Sequence, residues 1–167
     1  MWRRALLALG SNLGDRAAYL QDAVDGLSDD RSIRVVAASP VYETAPLGPS
    51  EEAFLNAVIE IATDLEPHEL LERCHDCENV AGRVRTERWG ARTLDVDIIW
   101  MEDVTLDDAT LTIPHAEASQ RLFVLIPLRD LDPVVASELS EVPLPEVSEL
   151  PSDIATTAIR LRVERRA

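Results

Sequence analysis

A chain of 167 residues, 46% hydrophobic and 28% charged, has the makeup of one soluble globular domain, long enough to fold without a disulfide framework or a structural metal. It carries 31 Asp and Glu against 16 basic residues, a formal charge of −15, and every one of those 16 is arginine. With no lysine there can be no Walker-type phosphate loop and no Schiff-base, pyridoxal-phosphate or kinase-strand lysine, while the acidic balance opposes binding to a nucleic-acid backbone.

The opening Met1–Leu9 is apolar after two arginines, but the run ends at Gly10-Ser11-Asn12, too short for a secretory h-region. No apolar stretch approaches the length of a membrane helix, so a cytoplasmic protein without a membrane span is expected. Arg4–Leu9 predicts a strand ending in that Gly-Ser-Asn turn. Ala18, Leu20, Ala23, Val24 and Leu27 recur at helical spacing over Asp15–Leu27, with Gly14-Asp15 as the start. Ile33–Tyr42 predicts a strand broken by Pro40 toward its end, and Thr44–Glu52 a loop. Ala53–Thr63 alternates as a strand. Pro67 opens a helix that runs through His68–Ala81.

Gly82–Thr93 is polar and arginine-rich and predicts a mobile loop. Leu94–Trp100 reads as a strand, Leu106–Ile113 as a further short strand or hairpin, and Pro114–Gln120 as a loop. Leu122–Leu131 predicts a helix stopping near Asp132-Pro133. Val142–Asp153, with three prolines, is irregular, and Ala158–Val163 alternates as a last strand. The order β-α-β-β-α-β followed by additions predicts an α+β, ferredoxin-like antiparallel sheet with both helices on one face. A single domain over residues 1–167 is expected.

Chemistry concentrates between Arg83 and Ile99. Arg83, Arg85, Arg88 and Arg92 fall within ten residues, and Asp95-x-Asp97 follows in a strand, so the two carboxylates share a face. Like charges held together are costly unless a cation lies between them. A hard divalent ion such as Mg²⁺ takes one or two carboxylates and completes its shell with water and phosphates, and arginine forks hold phosphates bidentately. The pattern points to phosphoryl or nucleotidyl transfer, against the bland alternative of a solvated edge strand and loop. A nucleotidyltransferase would set a Gly-Ser just before its Asp-x-Asp, whereas Ser11 lies 84 residues ahead of Asp95. Cys74-His75-Asp76-Cys77 lacks the second ligand pair of a zinc site, so its thiols are expected to act as small hydrophobes.

The chain closely resembles the 6-hydroxymethyl-7,8-dihydropterin pyrophosphokinases of folate biosynthesis from about Ala5 to Pro133. The resemblance rests on Leu9-Gly10-Ser11-Asn12-Leu13-Gly14-Asp15, Tyr42-Glu43-Thr44-Ala45-Pro46-Leu47-Gly48-Pro49 and Phe54-Leu55-Asn56. It continues in Gly82-Arg83-Val84-Arg85, Arg88-Trp89-Gly90-Ala91-Arg92-Thr93-Leu94-Asp95-Val96-Asp97, Pro114-His115 and Arg121-x-Phe123-Val124-Leu125-x-Pro127-Leu128.

The resemblance implies transfer of the β,γ-pyrophosphoryl group of ATP to the pterin hydroxymethyl oxygen, with AMP leaving. It implies Asp95 and Asp97 as ligands of two Mg²⁺ ions, and Arg83 and Arg92 as groups stabilising the transferring group. Glu78, Arg85, Trp89, Ile98, Leu111, Thr112, His115 and Arg121 are implied for ATP, with Arg85 and Trp89 on a closing loop. Gly10, Thr44, Ala45, Leu47, Phe54, Asn56 and Phe123 are implied for the pterin. Both phenylalanines of the chain are used, as suits a slot for a flat bicyclic ring. The expected partners are these small molecules, with no nucleic acid and no membrane, and the expected state is a monomer.

Ala45, Phe54, Ala91, Thr110 and Ala116 depart from the usual pattern, and residues from about Asp132 onward fall outside it. The alternative from the residues alone is another Mg²⁺-dependent nucleotide or phosphoryl transferase using Asp95-x-Asp97. A ferredoxin-like RNA-binding module is opposed by the charge and by the missing aromatic signature. The acidic, lysine-free composition has two further readings, adaptation to high salt and GC-rich coding.

Overall fold

The computed structural model describes residues 1–46, 52–82 and 93–164. Its elements run β1 (Arg3–Ser11), α1 (Arg16–Ser28), β2 (Ile33–Ala38), β3 (Pro40–Thr44), β4 (Phe54–Thr63), α2 (Pro67–Val80), β5 (Asp95–Met101), β6 (Leu106–Asp107), β7 (Thr112–Ile113), a 3₁₀ turn (Ala118–Gln120), α3 (Leu122–Leu131), α4 (Pro133–Leu139) and β8 (Ile154–Arg160).

Five strands of a six-stranded sheet lie in the order β5-β1-β4-β3-β8, and β2 pairs with β4 beside β3; every pairing is antiparallel. β6 and β7 form a separate short hairpin. Central β1 carries Ala5, Leu6, Leu7 and Leu9 with almost no exposure, so it is covered on both faces. α1 and α2 cover one face, packing Leu20, Leu27, Leu70 and Cys74 onto Leu7, Leu9, Ile59, Ile61 and Ile98. α3 and α4 cover the other, packing Leu125, Leu128 and Ala136 against Leu6, Val58 and Ile99. The helices expected on one face are α1 and α2; the fold adds a third layer. Among the described residues no helix is long and apolar enough to cross a membrane.

The helix starts are written locally. Asp15 accepts the Ala18 N–H ahead of α1, and Gly14 before it has φ 73°, a conformation that suits glycine. Glu66 and Glu69 form a capping box with Pro67 at the first turn of α2.

Three boundaries differ from the expectations. The strand foreseen as Ile33–Tyr42 divides at Ser39: its N–H donates to the Val58 carbonyl at 2.8 Å, its hydroxyl accepts the Val58 N–H at 2.9 Å, and Pro40 has no N–H to continue the ladder. The last strand lies earlier than Ala158–Val163, because the Gln21 side chain takes both backbone groups of Arg162 (2.8 and 3.0 Å) and holds the tail on α1. Asp132-Pro133, foreseen as a stop, also starts α4: Pro133 sits in its first turn and Asp132 accepts the Val135 N–H at 3.0 Å.

Asp132 has a second role. Arg4 on β1 donates to it at 2.7 Å and to Glu60 on β4 at 2.8 Å, with its guanidinium 5.5 Å from the centre of the Trp100 ring. Burial pushes the Asp132 carboxyl up, but Arg4 and the backbone N–H groups of Val135 and Val134 outweigh it and hold its pKa below 3.8. A group depressed in this way stabilises the fold above its unfolded pKa, and that contribution is lost as pH falls through the folded value. Asp132→Ala removes a cap and an ion pair together, and is expected to cost about 1–3 kcal/mol in urea unfolding at pH 7. The gap to the native chain should shrink in the acid range below the unfolded pKa.

Candidate active site

Strand register assembles the site. Gly10 on β1 lies opposite Asn56 on β4 and Asp95 on β5, and Ala8 lies opposite Val58 and Asp97. Tyr42 pairs with Asn56, and Thr44 with Phe54. Directly opposed residues of antiparallel strands share a face. The two aspartates, the amide of Asn56 and the hydroxyl of Thr44 therefore stand on the α3 side of the sheet, above a floor of glycine and alanine.

That floor must stay small. A Cβ at Gly10 would come 3.2 Å from Asn56 Oδ1 and 3.8 Å from Phe54 Cδ1. Asn56 and Thr44 are buried, and Asn56 Nδ2 donates to Thr44 Oγ1 at 2.7 Å. An amide has up to four hydrogen-bonding positions, and this contact uses one. Half-buried Phe54 and Phe123 line the same recess from the sheet and from α3. With them come Ala45, Ile99, Ala118 and Val124, and also Asp95, Asp97, His115 and Arg121.

A second, wider recess opens beyond the aspartates. Leu71, His75 and Glu78 of α2, Val96 and Ile98 of β5, Asp108–Thr112, the segment His115–Glu117 and Arg121 line it. Asp95, Asp97, His115 and Arg121 belong to both recesses. A carboxylate pair therefore stands at the junction of an apolar slot and a polar trough.

Each group at the junction is held from behind. Val96, between the aspartates, points into the core, and its N–H, on the outer edge of β5, donates to the buried Glu78 carboxylate at 3.0 Å. The His115 N–H donates to the Ile99 carbonyl at 2.9 Å, and its ring Nδ1 accepts the Glu117 N–H at 3.2 Å. Burial lowers the His115 pKa, the Arg121 charge lowers it further, and Glu117 and Asp95 pull the other way. The ring is thus neutral at pH 7, with its proton on Nε2. Arg121 pairs with Glu117, and its guanidinium lies 5.7 Å from the centre of the Phe123 ring.

Of the residues expected for the pterin, Gly10, Thr44, Ala45, Phe54, Asn56 and Phe123 line the first recess; of those expected for ATP, Glu78, Ile98, Leu111, Thr112, His115 and Arg121 line the second. Leu47, Arg83, Arg85, Trp89 and Arg92 lie outside the described residues. His75 and Glu117 entered no expectation as site residues, yet both line the second recess. His75 was legible: Leu71, His75 and Glu78 repeat at i, i+4 and i+7 along one face of α2. Cys74 is buried and Cys77 half-buried, and burial pushes both thiols up, Cys77 to about 11.

Two carboxylates with no bulky neighbour across the strand, facing a polar trough, suit a hard cation that draws its other ligands from water and phosphate. Among the described residues no group of three or more His, Cys, Asp or Glu forms a closed cage.

The family model for 7,8-dihydro-6-hydroxymethylpterin-pyrophosphokinase (HPPK) matches residues 6–133. The chain belongs to this family. It is similar to the 2-amino-4-hydroxy-6-hydroxymethyldihydropteridine pyrophosphokinase of Methylorubrum extorquens, with 47% identity over 131 residues, 78% of this chain and 83% of that one. The enzyme of the same name from Pseudomonas aeruginosa is 40% identical over 156 residues, 93% of this chain and 92% of that one, so the likeness continues past residue 133. Among solved structures, the crystal structure of wild-type Plasmodium falciparum HPPK-DHPS with pteroate superposes with a TM-score of 0.59 at 16% identity. It covers 78% of this pyrophosphokinase chain, which spans only 39% of that longer one, and the likeness is one of fold.

Proposed function

We propose that the two recesses divide one reaction between them, the pterin in the apolar slot and ATP in the polar trough, with Asp95 and Asp97 at the point of transfer. The activity is that of the family: pyrophosphate passes from ATP to 6-hydroxymethyl-7,8-dihydropterin, giving AMP and the pterin diphosphate in folate biosynthesis. The observation that carries the reading is that the carboxylate pair lines both recesses at once.

In this reading Asn56 and Thr44 bind the polar edge of the pterin, while Phe54 and Phe123 bound its ring faces. The hydroxymethyl oxygen is thereby aimed at the β-phosphorus of ATP. A new O–P bond forms there as the hydroxyl proton passes to solvent, the bond from that phosphorus to the α,β-bridging oxygen breaks, and AMP leaves with that oxygen. Asp95 and Asp97 would hold Mg²⁺, two ions in all, which supply charge neutralisation on the phosphates and acidify the pterin hydroxyl. His115 donates through Nε2–H, and Arg121 through its fork, to phosphate oxygens. Arg83 and Arg92 stabilise the transferring group, and Arg85 and Trp89 close over the site and exclude water. Positioning supplies much of the rate.

The reading extends to a single domain over residues 1–167, a cytoplasmic monomer that binds no nucleic acid, and a ferredoxin-like core. The last is supported by the order β5-β1-β4 with β2 and β3 beyond, and by α1 and α2 on one face. The reaction is tested by incubating the protein with Mg²⁺, ATP and 6-hydroxymethyl-7,8-dihydropterin. AMP and pterin diphosphate should appear one for one. ADP in place of AMP, or no product, overturns the reading.

A further inference from the structure

The described walls of the polar trough mix acids with an arginine. Among the described residues lining it, Glu78, Asp95, Asp97, Asp108 and Glu117 are acidic, and Arg121 is the arginine. Two of these acids hold backbone groups. Glu78 holds the Val96 N–H, and Asp108 accepts the N–H groups of Thr110 and Leu111 and pairs with His68 at 2.8 Å. Glu117 faces the arginine of the trough. It stands just before the 3₁₀ turn, four residues ahead of Arg121, and its carboxylate pairs with the Arg121 guanidinium. Its backbone N–H meanwhile fixes the His115 ring.

A guanidinium offers its N–H groups in a rigid fork, and a carboxylate and a phosphate seek the same edges of that fork. The two partners here are not equally exposed. The Arg121 side chain is 20% exposed and that of Glu117 50%. The acid is the more exposed of the two and the arginine the more enclosed. An exposed pair of this kind is weak, so the more highly charged phosphates displace it, but the displacement subtracts from their affinity.

We propose that Glu117 is an internal competitor for the phosphate-binding edge of Arg121, occupying the guanidinium in the nucleotide-free protein and releasing it when ATP binds. Glu117 thereby lowers the nucleotide affinity of this chain. It acts through Arg121 and is a positioning residue. The inference rests on reading the trough as the ATP site.

The test measures binding of the Mg²⁺ complex of α,β-methylene ATP by titration calorimetry. Native protein is compared with Glu117→Gln, Glu117→Ala, Arg121→Ala and the double variant Glu117→Gln/Arg121→Ala. Both single Glu117 variants should bind about three- to tenfold more tightly than native, an advantage that shrinks as KCl is raised. The gain should be largely lost when Arg121 is absent, and the KM for pterin at saturating ATP should move less than about twofold in either Glu117 variant. Unchanged or weaker nucleotide binding in the Glu117 variants, or the same gain without Arg121, overturns the proposal. If Arg121→Ala alone leaves binding untouched, the nucleotide reading of Arg121 falls and takes the proposal with it, a result distinct from failure of the competition alone.

Discussion

Asp97→Ala is expected to abolish turnover, lowering kcat by about a thousandfold or more, the scale of losing a Lewis acid at a transferring phosphoryl group. The fold should survive the change. Asp97 is half-buried on edge strand β5, its neighbour across the strand is Ala8, and the strand is anchored independently by Glu78 at Val96. The melting temperature without Mg²⁺ should therefore stay close to that of the native chain. What should vanish is the extra stability that Mg²⁺ and ATP together confer on the native chain by mass action. The checks are the rate of AMP formation and thermal melts with and without Mg²⁺ and ATP. A near-native kcat would refute the metal assignment, and a melting temperature that collapses without ligand would assign Asp97 a structural role.

Asn56→Ala is expected to lower kcat/KM for the pterin by about a hundredfold or more while leaving ATP affinity within about twofold. A site built to hydrogen-bond a polar edge discriminates strongly, because the groups left without partners are buried. Asn56 lies in the apolar slot, 2.7 Å from Thr44 Oγ1 and away from the trough. Asn56→Asp, nearly the same shape, replaces an N–H donor by an acceptor and should be as damaging to pterin use. Steady-state kinetics with each substrate varied in turn separates the outcomes. Equal losses for both substrates would show that Asn56 supports the sheet rather than reads the pterin.

Much of this architecture was legible in the residues. A β-prone apolar run gave β1, alternation gave β4 and a β-rich stretch gave β5; helical spacing gave α1 and α2, Leu122–Leu131 gave α3, and Asp15 and Pro67 marked helix starts as they do in the structure. The misses have physical causes. Asp132-Pro133 reads as a stop because proline cannot continue a helix, yet the same pair is a cap with a first-turn proline after it. The burial of Val135 and Ala136 in the core decides between the two readings. The tail from Leu161 to Val163 alternates like a strand, but a side-chain amide on α1 takes its backbone groups. Ser39 divides a predicted strand through a hydroxyl contact to β4 that no local pattern announces.

The candidate site divides in the same way. The sequence by itself determined the chemical inventory: no lysine, a run of arginines, two carboxylates on one side of a strand, two phenylalanines, and motifs specific enough to assign the family. These are properties of residue type and short spacing, and period-two geometry is enough to put Asp95 beside Asp97. Only the tertiary structure decided which groups meet across the sheet. Gly10 must face Asn56 on one neighbour and Asp95 on the other, a register set by pairing strands far apart in the chain. The same packing laid α3 across that face and made one carboxylate pair serve two recesses. Contacts of that kind depend on long-range burial and on how strands align, and no local pattern encodes them.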